Sequence, residues 1–152
     1  MLDVPSANLY SGPVAHRAYA ILCAVLGVML CVTGLLLFAQ FFRFHAPGGL
    51  GLPLLPMGPN GHYFVAFTGS ALVGWGGALL GAARHPETSR TIGTATAVAL
   101  VMSGFYRMLA WVVGDYAILG NLPRAEAAIF LLLALAFVWL RPPRRTVLEV
   151  PA

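Results

Sequence analysis

Between Arg17 and Arg43 the chain runs from Ala18 to Phe42 without a charged side chain. About 20 apolar residues wound as a helix span the hydrocarbon core of a bilayer, where a helix can satisfy every backbone N–H and C=O internally. This run is somewhat longer, so it predicts a tilted transmembrane helix over 18–42. Three more apolar stretches follow, over 62–83, 91–114 and 123–140. Four such segments predict an all-α fold, a four-helix transmembrane bundle over 18–141. Residues 1–17 are expected to form a leader and 142–152 a polar tail.

Composition agrees. The chain is 59% hydrophobic and 9% charged, against roughly 25% charged in soluble domains. Its positive charge is carried by nine Arg and no Lys, and that charge is explained by topology. Arg17, Arg84, Arg90, Arg141, Arg144 and Arg145 fall on one side of the expected membrane, with Arg43 and Arg124 on the other. The positive-inside rule then puts both termini in the cytoplasm of a cell whose inner (plasma) membrane holds the protein. No basic run is interleaved with exposed aromatics, so nucleic acid is not an expected partner. The first apolar run is too long for the core of a cleavable signal peptide and lacks a small-x-small site after it.

The connections carry their own signals. Residues 44–61 hold Pro47, Pro53, Pro56 and Pro59, which forbid a regular helix through the stretch. Leu50, Leu52, Leu54, Leu55 and Met57 make it too apolar for a freely solvated loop, so it is expected to fold over the outer mouth of the bundle or rest in the interface. Arg84 to Arg90 is a tight polar connector in which Thr88 or Ser89 suits a helix cap. Asn121 and Pro123 open the fourth helix, and Arg141-Pro142-Pro143 stops it.

Small residues predict the seams. Ala20, Ala24, Gly27, Cys31 and Gly34 recur at steps of four and three, which puts them on one stripe of the first helix. Ser70, Gly74, Gly77 and Gly81 do the same on the second, where Gly77 and Gly81 form a GxxxG. No strand precedes these glycines and no Lys-Ser/Thr follows, so they are not a phosphate loop. Cys23 and Cys31, two turns apart on one helix, cannot bridge each other.

Arg107 is the anomaly. It lies in the third span, roughly 10 Å from its outer end at 1.5 Å per residue, and a guanidinium at that depth needs a partner. Asp115 and Glu126 are the candidates. The expected arrangement is an ion pair clamping the third helix to the fourth; the alternative is a site for an anion or polar headgroup. Tyr106, Trp111 and His62 gather at the same expected end, together with Arg43, His45, Tyr63 and Tyr116. Most of these aromatics are explained by an interfacial belt. The His and carboxylate spacing lacks metal-ligand regularity, so no metal is expected. His16 and His85 lie beyond the spans beside Arg, in solvated positions unsuited to bis-histidine haem. No nucleophile–base or paired-carboxylate arrangement is visible within the spans, so an enzyme ranks last.

From Gly61 onward the chain resembles a family of small, uncharacterised four-helix bacterial membrane proteins, distantly similar to DoxX-type proteins. The resemblance rests on the Gly-rich second helix, Gly104-Phe105-Tyr106-Arg107 in the third, and Glu126 opening the fourth. It implies architecture and no particular activity. The expected function is an accessory or structural subunit packing among other subunits of a larger respiratory or photosynthetic membrane complex. The alternative is a carrier or binding protein for a lipid, quinone or small anion, with an outer-side pocket around Arg107. No cofactor is expected beyond such a bound lipid or quinone.

Overall fold

A computed structural model describes residues 13–45, 59–113 and 121–142. Among them are four α-helices, α1 (Pro13–His45), α2 (Pro59–Arg84), α3 (Arg90–Val113) and α4 (Leu122–Leu140), and a 3-10 turn at Pro86–Thr88. Each of the four helices is long and apolar enough to cross a membrane. The secondary structure of the described residues is thus all-helical, and the chain has the make-up of a multi-pass membrane protein.

Two helices start earlier than the apolar runs suggest, and proline is the reason. Pro13 opens α1 and Pro59 opens α2. A helix's first residue has no intrahelical use for its N–H, and proline's fixed φ already suits the helix. The last three residues of the expected 44–61 loop are therefore helical, while 46–58 lie outside the described residues. At 33 residues, α1 is ~50 Å long, well over the ~30 Å hydrocarbon core. Its ends extend past that core or the helix tilts.

Two serine hydroxyls within the spans are satisfied locally. The hydroxyls of Ser70 and Ser103 donate to the carbonyls four residues back, Ala66 at 3.1 Å and Ala99 at 2.9 Å. Such back-bonding removes an orphan donor where no water can serve it.

The chain divides into two compact units. One holds residues 21–84, the rest of α1 with α2. There the backbones meet at two glycine pairs. A Cβ built on Gly34 would sit 2.5 Å from the carbonyl oxygen of Gly69, and one on Gly69 would sit 2.5 Å from that of Gly34. Two turns away, a Cβ on Gly76 would lie 2.6 Å from the carbonyl oxygen of Gly27 and 2.6 Å from the sulfur of Cys31. Only glycine permits this approach, which brings Cα–H groups against facing carbonyls. The Cys31 thiol lies 3.8 Å from the Val73 carbonyl, a weak donor at the same seam.

The other unit holds the first turns of α1 and residues 85–152. Here α3 and α4 pack antiparallel, close enough at Gly104 that a Cβ would meet Leu131 at 3.2 Å. Tyr19 ties α1 to them. Its ring is fully buried edge-on against Phe137, with centroids 6.1 Å apart. Its hydroxyl donates to the Ser89 carbonyl at 3.0 Å, and that carbonyl also accepts the Gly93 N–H at 3.2 Å. Gly93 makes room: a Cβ there would lie 2.5 Å from the Tyr19 oxygen. Ser89 holds the position before α3 as expected, and its hydroxyl donates to the Pro86 carbonyl at 3.0 Å.

Candidate functional site

The antiparallel register of α3 and α4 brings late residues of one beside early residues of the other. Arg107, six residues before the end of α3, thereby reaches Glu126, four residues into α4. Arg107 Nε and Glu126 Oε2 are 3.1 Å apart, the ion pair expected for a charge at this depth. Glu126 lies past the first turn of α4, which holds no acidic residue. The guanidinium, and not the helix dipole, therefore accounts for its place.

The ion pair runs between Arg107 Nε and Glu126 Oε2, and the two side chains keep 39% and 33% of their surface open. The terminal nitrogens of Arg107 are geometrically able to serve a second acceptor, since an arginine carries five N–H donors. One turn toward the helix ends, Arg124 lies over the indole of Trp111 with its guanidinium carbon 5.6 Å from the ring centroid. That is a cation–π contact, strongest where water is scarce. Two cations, one carboxylate and an aromatic plate thus share one end of the α3–α4 pair. Among the described residues the local balance is one positive charge in excess.

The remaining expected members fall elsewhere. Tyr106 is exposed on α3. His62 is buried and belongs to the α1–α2 unit. Asp115 lies outside the described residues, as does the side chain of His45. Neither protein-family profiles, nor characterised proteins, nor solved structures match this chain. What the site can do therefore rests on its own chemistry, which is electrostatic. A paired guanidinium and an aromatic-backed one can hold an anionic or carbonyl-bearing group, or can lock two helices.

In the sequence Arg124 stands out only as a topology marker. Its spacing to Trp111 follows from the same register that joins Arg107 to Glu126, since each pair sums to nearly the same number, 235 and 233. The glycines of the GxxxG stripe are also placed unexpectedly. Gly69 and Gly76 face α1, whereas a Cβ built on Gly74, Gly77 or Gly81 meets nothing within 4 Å among the described residues.

Proposed function

We propose that the protein is an accessory subunit of a larger membrane complex, held there through the second glycine face of α2. The observation that carries this reading is the bare stripe of Gly74, Gly77 and Gly81. Glycine costs a helix about 1 kcal/mol relative to alanine, and α2 already uses Gly69 and Gly76 for α1. Three further glycines in register give nothing to a lipid-facing surface but let a neighbouring helix approach to backbone distance. The complex in this reading is respiratory or photosynthetic, in a bacterial inner membrane, with both termini cytoplasmic. A DoxX-like four-helix arrangement is part of the same reading.

The experiment is native electrophoresis of membranes solubilised in mild detergent, with mass spectrometry of the band. The expected result is an assembly well above the 16.1 kDa of the chain that contains other subunits, and from which Gly77→Ile is lost. A band holding only this chain would overturn the reading.

A second reading has its own observation, the partly open Arg107–Glu126 pair beside an aromatic-backed Arg124. This end of α3–α4 suits a lipid headgroup, quinone carbonyl or small anion. Replacing Arg124 by Gln should then reduce what co-purifies with the chain while leaving its melting temperature nearly unchanged. Unaltered co-purifying material would argue against a ligand there.

A further inference from the structure

At the other end of α3–α4, away from Arg107, two more arginines converge. Arg90 is the first residue of α3 and Arg141 follows the last of α4. Arg90 donates through a terminal nitrogen to the Pro142 carbonyl at 2.8 Å. Arg141 donates through one of its own to the Thr94 hydroxyl oxygen at 3.2 Å. That hydroxyl in turn donates to the Arg90 carbonyl at 3.0 Å. Each guanidinium is thus held by a neutral acceptor, that of Arg90 by the Pro142 carbonyl and that of Arg141 by the Thr94 hydroxyl. Among the described residues no carboxylate pairs with either. Two guanidinium forks with donors to spare form an anion-binding arrangement.

Thr94 also begins a groove. From it, Ala97, Val98, Val101 and Met102 on α3 and Val138 on α4 line a furrow of about 220 Å³. Its rims, Val98, Val101 and Met102, are open to the surroundings, and its exposed lining is apolar throughout. The furrow is smaller than the roughly 300–1,000 Å³ of pockets that enclose drug-sized ligands. It is a channel for a chain. Because Arg141 bonds to Thr94, the residue that begins the furrow, a cationic group stands at one end of an apolar groove, which suits an anionic amphiphile.

We propose that this end of α3–α4 binds an anionic phospholipid, with its phosphate on Arg90 and Arg141 and one acyl chain along the Thr94–Met102 groove. Basic sites between transmembrane helices recognise such headgroups through the excess negative charge that zwitterionic lipids lack. Threonine joins the two halves, since the same hydroxyl orients Arg141 and closes the top of the groove. The proposal depends on neither reading of function given above.

The test uses the full-length protein, delipidated in detergent, with binding followed by thermal shift and native mass spectrometry. Phosphatidylglycerol should raise the melting temperature and stay bound, whereas phosphatidylcholine and inorganic phosphate should do neither. In the double variant Arg90→Gln/Arg141→Gln the apparent affinity for phosphatidylglycerol should fall on the order of 30-fold, the loss expected for two arginines at a membrane surface. Val98→Trp fills the groove with both arginines in place. It should weaken binding about tenfold, equivalent to roughly two buried methylenes. That second variant keeps the test decisive if the double one does not fold. Equal effects of phosphatidylcholine would show a general lipid coat and overturn the proposal. So would equal effects of inorganic phosphate, or phosphatidylglycerol binding that Val98→Trp leaves intact.

Discussion

At the scale of single residues, the two sharpest constraints are Arg107 with Glu126 and Gly93 with Tyr19. Removing Arg107 leaves a carboxylate without its cation in a membrane segment, while removing both leaves only apolar surface. Breaking one side of a buried pair costs about 3–5 kcal/mol, and exposed pairs contribute far less. With a third or more of each side chain open, Arg107→Leu should cost about 1–3 kcal/mol in detergent unfolding. Arg107→Leu/Glu126→Leu should recover most of that loss; a double-variant loss equal to the sum of the Arg107→Leu and Glu126→Leu losses would show that the pair is not coupled. Gly93→Ala gains about 1 kcal/mol of helix propensity but drives a methyl to 2.5 Å from the Tyr19 oxygen. Overpacking of that kind costs about 1–3 kcal/mol, so the net change should be a lower melting temperature. Adding Tyr19→Phe removes the nearest atom and should restore part of it, though ring carbons at 3.0 and 3.1 Å remain. A double variant no better than Gly93→Ala would place the strain elsewhere.

At the scale of helices, the four spans were legible because lipid imposes one rule: a long apolar run must be helical. Their starts at Pro13 and Pro59 were less so, since proline reads as a breaker until its position in the first turn is known. The ion-pair partner of Arg107 was legible from its depth, because few acidic residues lie within reach. The glycine seam was half legible. Gly27 and Gly34 stand out on α1, but on α2 the GxxxG spacing of Gly77 and Gly81 is more conspicuous than the pair that packs. The decisive signal is a matching interval: 27 and 34 are seven apart, as are 69 and 76, so two antiparallel helices can meet at both points. Spacing within one helix does not select a face; spacing shared between two does. The Arg90–Thr94–Arg141 cluster was missed because arginines at span ends are already explained by topology. Substitutions should separate the two α2 faces. Gly34→Ala or Gly69→Ala places a methyl 2.5 Å from a backbone oxygen that cannot swing aside, so the hairpin must open and lose about 3 kcal/mol or more. Gly77→Ala enters open space and should lie within about 1 kcal/mol of the wild type, on the stable side. If Gly77→Ala proved as damaging as Gly34→Ala in the isolated chain, α2 would have an intramolecular partner on its second face.

For the whole molecule the controlling quantity is the distribution of arginine between the two sides of the membrane. Six arginines flank the spans on the side of the termini and two on the other. Arg107, inside a span and paired, counts for neither. Each connection is short enough for its charges to act during insertion, and the bias of six to two favours cytoplasmic termini. Reporter fusions after residue 152 should therefore behave as cytoplasmic, and fusions near residue 118 as external. The same threading would put Arg90 and Arg141 at the leaflet where anionic lipids concentrate, and the Arg107–Glu126 pair near the other. Reversing the bias is a more demanding measurement. Arg84→Glu/Arg90→Glu leaves four arginines on the side of the termini, still more than the opposite two, because acidic residues contribute little to orientation. Neutralising Arg141, Arg144 and Arg145 as well leaves only Arg17, fewer than Arg43 and Arg124 together. The first set should keep the reporters unchanged and the second should produce mixed or inverted signals. Inversion by the first set alone would mean that some feature other than arginine number, such as the length of α1, decides how the chain is threaded.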